Sequence, residues 1–332
     1  MSLGLRDRLL CRARVRRGAA TVVVVLGMTA CTHARVESAH GTHDYLFAYF
    51  KGNGEDGMHL AHSTDGLTWR ALRHDSAFFK PSVGVEKLTR DPSVVRGPDG
   101  LYHMVWTAGW TERGFGYARS RDLITWTNER YVPVMAHEPT ARNTWAPEIL
   151  DDAPNGRYLI YWASTIPGRF PATDSAGGGG GKYNHRIYYV STTDFSTFTP
   201  ARLLYEHGFS VIDADIIRSG SRYVMFLKDE TEKPPQKNIR LAFADHAEGP
   251  WSPPTAPITG DYWAEGPTAL RVGDRWMVYF DRYRDHRYGA LSSADLEHWT
   301  DISARISMPP GIRHGTAFEV PAADAQRLLA RE

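Results

Sequence analysis

A short motif returns five times along the chain and restricts its fold more than any other feature: a β-rich segment, a small residue, Asp, a few residues, then an aromatic. It reads Ser63-Thr64-Asp65-Gly66-Leu67-Thr68-Trp69, Ser120-Arg121-Asp122-Leu123-Ile124-Thr125-Trp126, Ser191-Thr192-Thr193-Asp194-Phe195-Ser196-Thr197-Phe198 and Ser292-Ser293-Ala294-Asp295-Leu296-Glu297-His298-Trp299. A degenerate copy runs from Asp245 to Trp251, and the Asp-to-Asp steps are 57, 72, 51 and 50 residues. Self-similarity of this kind marks a repeat architecture. A turn Asp can accept hydrogen bonds from nearby backbone N–H groups while the aromatic packs beside it. Aromatic-rich runs at 101–106, 158–162, 223–227 and 276–280, bounded by turn formers such as Pro98-Asp99-Gly100 and Asn155-Gly156, read as strands.

Five units of a few strands each predict an all-β protein, a five-bladed β-propeller. The 10 Trp, 16 Tyr and 13 Phe suit pleated surfaces, and the 30 Gly and 20 Pro suit many turns. No polar linker divides the units, and the glycine run at 177–181 falls inside one of them, so one domain is expected over 44–323 with a tail at 324–332. The first unit offers strands at 45–50 and 58–62 with no inner strand before them, whereas the chain ends on a strand pattern at 311–320. That C-terminal strand is expected to complete the N-terminal blade, closing the ring and hiding its edges.

The formal charge is only +1, which argues against a nucleic-acid binder, but it conceals an asymmetry. Residues 1–20 hold six arginines against Asp7, a local +5, leaving −4 for the remainder. An apolar run from Gly18 to Ala30 follows, too short to span a bilayer and of the right length for a signal peptide. It ends Met28-Thr29-Ala30-Cys31, similar to a bacterial lipoprotein box with Met where Leu is usual. Residues 1–31 are thus expected to be a leader, with a linker at 32–43. The product would be exported as a periplasmic or cell-surface lipoprotein lipidated on Cys31, or else secreted after an ordinary cleavage. The second cysteine, Cys11, lies in the leader, so the domain has no disulfide.

The first strand of each propeller blade lines the central channel. Four such strands open on acidic motifs: Arg90-Asp91-Pro92-Ser93, Trp145-Ala146-Pro147-Glu148, Ile212-Asp213-Ala214-Asp215 and Glu265-Gly266-Pro267-Thr268. A carboxylate entering an apolar strand is costly unless paired or used in chemistry. One alone reads as a turn or an ion pair, whereas four at corresponding points of successive repeats point to a site.

These motifs resemble glycoside hydrolase family 43, and the resemblance extends over nearly all of 44–320. It implies hydrolysis with inversion, mostly of α-L-arabinofuranosides and β-D-xylosides, on plant-type oligosaccharides or polysaccharides. Carried over by position, Asp91 resembles the catalytic base, Asp213 the residue that tunes and orients the acid, and Glu265 the acid. Asp213-Ala214 departs from the commoner Asp-Pro. Trp145 and Glu148 resemble a channel motif and are expected to bind substrate. Inversion requires an ionised carboxylate to activate water and a protonated carboxyl to meet the leaving oxygen. Their environments must therefore push their pKa values apart.

His314, in Arg313-His314-Gly315-Thr316, resembles a channel histidine near which family members hold a calcium ion, usually through water; a sugar contact or a hydrogen-bonded core histidine are the other readings. No cofactor is required by the chemistry. Arg313, Arg282 and Arg287 could bind sugar hydroxyls, and Trp110, Trp145 and Trp263 could stack on a sugar face. The glycine run lacks the first Gly and the Ser or Thr of a phosphate loop and reads as a rim loop. A fructosidase or galactosidase of propeller type and a non-catalytic sugar-binding propeller stand as alternatives. The fructosidase signatures Asn-Asp-Pro and Glu-Cys are missing, and a binding module has no need of three carboxylates.

Overall fold

The structure, a computed structural model, describes residues 43–331; the expected leader, linker and Cys31 lie outside them. Five antiparallel sheets follow one another around a ring. The first holds β1 (His43–Lys51), β2 (His59–Ser63) and β3 (Arg70–Ala71). The second holds β4 (Arg90–Arg96), β5 (Tyr102–Thr107), β6 (Phe115–Ser120) and β7 (Trp126–Val132). The third has β8 (Trp145–Asp152), β9 (Arg157–Ser164), β10 (Arg186–Thr192) and β11 (Arg202–Tyr205). The fourth has β12 (Val211–Ser219), β13 (Arg222–Asp229) and β14 (Asn238–Ala244). The fifth has β15 (Glu265–Val272), β16 (Arg275–Arg282), β17 (Arg287–Ser293) and β18 (Thr300–Asp301). The last strand, β19 (Ile312–Pro321), pairs with β1 from His43↔Pro321 to Lys51↔Ile312 and becomes the inner strand of the first blade. The ring closes as the sequence predicts.

The repeated motif is the turn between the outer strands. Asp65 Oδ1 accepts from the N–H groups of Leu67 and Thr68, and Asp122, Asp194 and Asp295 do the same two and three residues on. The degenerate copy at Asp245 falls in the blade that has only three strands.

Alternation along each strand buries both faces, and the five apolar clusters fill the gaps between blades. Met104 and Trp106 face the first blade with Leu46 and Phe318, while Val105 faces the third with Ile160 and Trp162. Phe47, Trp69, Tyr279 and Tyr288 fill the gap between the fifth blade and the first. Wedge-shaped gaps need large side chains, which explains the aromatic count.

The sequence reading ends the domain at 323, but residues Ala322–Leu329 form a helix. Its Ala325 and Leu328 are buried in the cluster between the first two blades, so the expected tail belongs to the fold.

Candidate active site

Each inner strand carries a bulge at the motif. The register shifts between Arg90 and Ser93, Trp145 and Glu148, Ile212 and Asp215, and Glu265 and Thr268; in β19 the extra residue is His314. The second motif position takes a left-handed backbone: φ is 50° at Asp91, 47° at Ala146, 51° at Asp213 and 55° at Gly266. Such bulges re-aim side chains, and holding a non-glycine residue there costs roughly 1–2 kcal/mol. Gly266 has a further reason to be glycine, since a Cβ there would lie 2.1 Å from the His314 Cβ. The fifth blade therefore presents its carboxylate one residue earlier and on the longer side chain of Glu265.

The four acidic motifs consequently do not act at one level. A cavity of about 350 Å³ brings together Asp91, Asp213, Glu265, Arg313, His314, Trp110 and Trp145. Glu148, expected as a sugar contact, is not among the residues that line it. It occupies the fourth motif position with Asp215, deeper in the channel, where Thr316 Oγ1 donates to its carboxylate at 3.2 Å. Burial and the charge of Asp215 raise the Glu148 pKa well above the ordinary range, and burial raises Asp215 to about 7.

Asp91 Oδ2 accepts from Thr107 Oγ1 at 2.8 Å, and its Oδ1 lies 3.0 Å from His314 Nε2. Burial opposes its ionisation, but the His314 imidazolium and Arg90 outweigh burial and hold its pKa well below the usual carboxylate range. His314 shows the reciprocal effect: burial disfavours its charge, yet Asp91 and Asp213 raise its pKa to about 9.

Glu265 accepts from Lys228 Nζ at 2.9 Å and from Arg313 Nη2 at 2.9 Å. Burial would raise its pKa, but Lys228, His314 and Arg313 draw it down to about 2. Asp213 accepts the N–H of Gly266 at 3.1 Å, which ties it to the acid-bearing strand. Burial lifts its pKa to about 6 against the pull of His314 and Lys228. In the free site the more basic carboxylate is thus Asp213. Lys228 is the strongest of the cationic influences that hold Glu265 low.

Trp110 and Trp145 meet edge to face at 5.5 Å on the rim, and Arg90 lies 4.2 Å over the Trp110 ring. Trp145 also packs on Tyr183, just beyond the glycine run. Trp263 lies against Tyr283 and Arg284 outside this cavity, and Arg282 sits over Tyr262. Arg287 lines a different cavity. Sequence reasoning missed Lys228, Glu230, Arg90 and Asn53, which also line the site. Lys228 did leave a signal, a cation closing the apolar run 223–227 inside a central strand.

His314 turns Nε2 to Asp91, and among the described residues no cluster of three or more His, Cys, Asp or Glu is placed to ligate a metal directly, so a calcium ion, which takes six to eight oxygen ligands, would draw most of them from water.

A five-bladed ring whose inner strands converge three carboxylates under an aromatic rim defines the class of carbohydrate-active propellers. The chain belongs to the family 43-related glycosyl hydrolases: the family model described as a probable glycosyl hydrolase domain matches residues 41–326. An α-L-arabinofuranosidase of Bifidobacterium longum subsp. longum is 27% identical over 160 residues, 42% of this chain and 15% of that longer protein. The chain therefore spans a small part of that relative's length. Among solved structures, the catalytic domain of a family 62 α-L-arabinofuranosidase from Coprinopsis cinerea is similar at TM-score 0.50 and 13% identity, over 70% of this chain and 76% of that one. An exo-β-1,3-galactanase from Clostridium thermocellum is similar at TM-score 0.50 and 12% identity, over 67% and 50%. These likenesses are in fold.

Proposed function

We propose that the protein is an inverting glycosidase that removes terminal pentosyl units, α-L-arabinofuranosyl or β-D-xylosyl, from plant-type oligosaccharides. The observation that carries this reading is the unequal electrostatic setting of three carboxylates in one cavity. Asp91, held ionised by His314 and Arg90, is suited to draw a proton from water. Asp213 and Glu265 form a pair that gives up its last proton near pH 6, and coupled sites of this kind titrate as a unit. The pair shares that proton, and Glu265 takes it up when a sugar oxygen takes the place of Lys228 or Arg313. Glu265 then donates it to the leaving oxygen. The arabinofuranosidase relative supports the pentosyl choice.

Two measurements test this. Proton NMR of the first-formed product should show the inverted anomer; a retained anomer refutes the mechanism. Activated aryl glycosides need no acid, so Glu265→Gln should keep most of its activity on them while losing it on oligosaccharides. If Asp213→Asn shows that pattern instead, Asp213 is the acid, the reading its raised pKa favours. The basic leader and the Met28–Cys31 box support export with a lipid on Cys31, to be checked by palmitate labelling of wild type and Cys31→Ala in a bacterial host.

A further inference from the structure

A second cavity of about 460 Å³ lies between the fifth blade and the first, within the roughly 300–1,000 Å³ of ligand pockets. It is built from the β16–β17 turn and the connection into β19, at the end of the ring where Glu265 pairs with Asp281 across β15 and β16. Arg313 lines both cavities. Its Nε donates to Asp281 Oδ2 at 2.6 Å on one side, and its Nη2 donates to Glu265 Oε1 at 2.9 Å on the other. Tyr283, also in the second cavity, carries Lys228 4.9 Å over its ring. Both cations on Glu265 therefore touch a residue of this second space.

Its walls are two-sided. Ile306, Met308 and Pro310 offer apolar surface, while Asp281 and Tyr288, 3% and 6% exposed, offer polar groups. The Tyr288 hydroxyl has no hydrogen-bond partner among the described residues, and buried polar groups without partners are rare. A sugar ring matches such walls, with C–H groups on its faces and hydroxyls on its edge. Resting on the glycosidase reading, the geometry points to the second cavity as the site for the neutral sugar unit next to the one cleaved, with Arg313 as the positioning residue shared between them. A hydroxyl that donates to Asp281 competes with Arg313 Nε and loosens the same guanidinium from Glu265. Filling the second site thereby favours a proton on the acid.

The test uses full-length protein, with α-1,5-arabinotriose and β-1,4-xylotriose set against the matching nitrophenyl monoglycosides. Pro310 is exposed on the cavity wall, so Pro310→Trp can obstruct the cavity with the core left intact. It should lower kcat/KM for the trisaccharide at least tenfold more than for the monoglycoside. Tyr288→Phe, which keeps the volume and removes only the hydroxyl, should shift the same ratio several-fold in the same direction. Equal losses on both substrates, or none, overturn the inference. Calorimetry on Asp91→Asn protein separates the two claims. If no glycoside is turned over but Pro310→Trp still weakens trisaccharide binding tenfold, the second site stands and the glycosidase reading falls. If glycosides are turned over and neither the ratio nor the binding moves, the second site falls and the glycosidase reading stands.

Discussion

Replacing Lys228 by Met isolates the group that sets the acid–base balance of the site. The ammonium lies 2.9 Å from Glu265 and 2.7 Å from Glu230, with 4% of its side chain exposed, so Met fills similar space without the charge. Lys228 lowers the pKa of Glu265 and also that of Asp213, so its removal raises both. The cations around Glu265 hold its pKa at about 2, well below the ordinary carboxylate range. Lys228 is the largest of the cationic influences on it, so its loss should raise that pKa more than the loss of any other single cation. Turnover needs one proton on the Asp213–Glu265 pair. Activity is therefore full below about pH 6 and falls as pH rises through the Asp213 value. In Lys228→Met this limb should move up; a move of about 1 unit leaves the variant, at about pH 8, with about tenfold more of its own plateau activity than wild type keeps of its own. The assay is kcat/KM against pH on an oligosaccharide, whose leaving group needs the proton. A limb that stays in place or moves down, with circular dichroism and Tm unchanged, refutes the reasoning.

Asp91→Asn removes the base and should lower kcat by about 10²–10⁴-fold. It also strips His314 of its nearest anion, so the imidazole, protonated in wild type below about pH 9, should titrate lower by NMR. Gly266→Ala must hold a left-handed backbone and place a methyl 2.1 Å from the His314 Cβ. It should lose activity and about 2 kcal/mol or more of stability in urea denaturation. Removing 322–332 exposes the surface that Ala325 and Leu328 cover; burying one Leu is worth about 1.5–3 kcal/mol, so a matching fall in unfolding free energy is expected.

The ring was legible because its turns repeat. Asp65, Asp122, Asp194 and Asp295 do the same local work four times, and local work leaves a local pattern. Ring closure was legible for a related reason, since a strand pattern without a partner at one end answered a missing strand at the other. The helix Ala322–Leu329 was missed because only its Ala325 and Leu328 are buried, too few to imprint a period on eight residues. The carboxylates that meet in the cavity were recognised, but their levels were not. Depth along the channel is set by bulges at Asp91, Ala146, Asp213 and Gly266, which depend on pairing partners that no single segment contains. Lys228 and Arg313 reach Glu265 from a second strand of one blade and the inner strand of another. Charge balance of that kind exists only in three dimensions.

The pairing of β19 with β1 also has a meaning in time. His314 and Arg313, which keep Asp91 ionised and hold Glu265, are carried by β19, the strand of the ring that is synthesised after the other eighteen. Until that strand docks, Asp91 lacks the larger of its two counter-charges, and the first blade is missing its inner edge. Completing the ring and arming the site are therefore a single event, and a chain that stops before residue 312 would lack both.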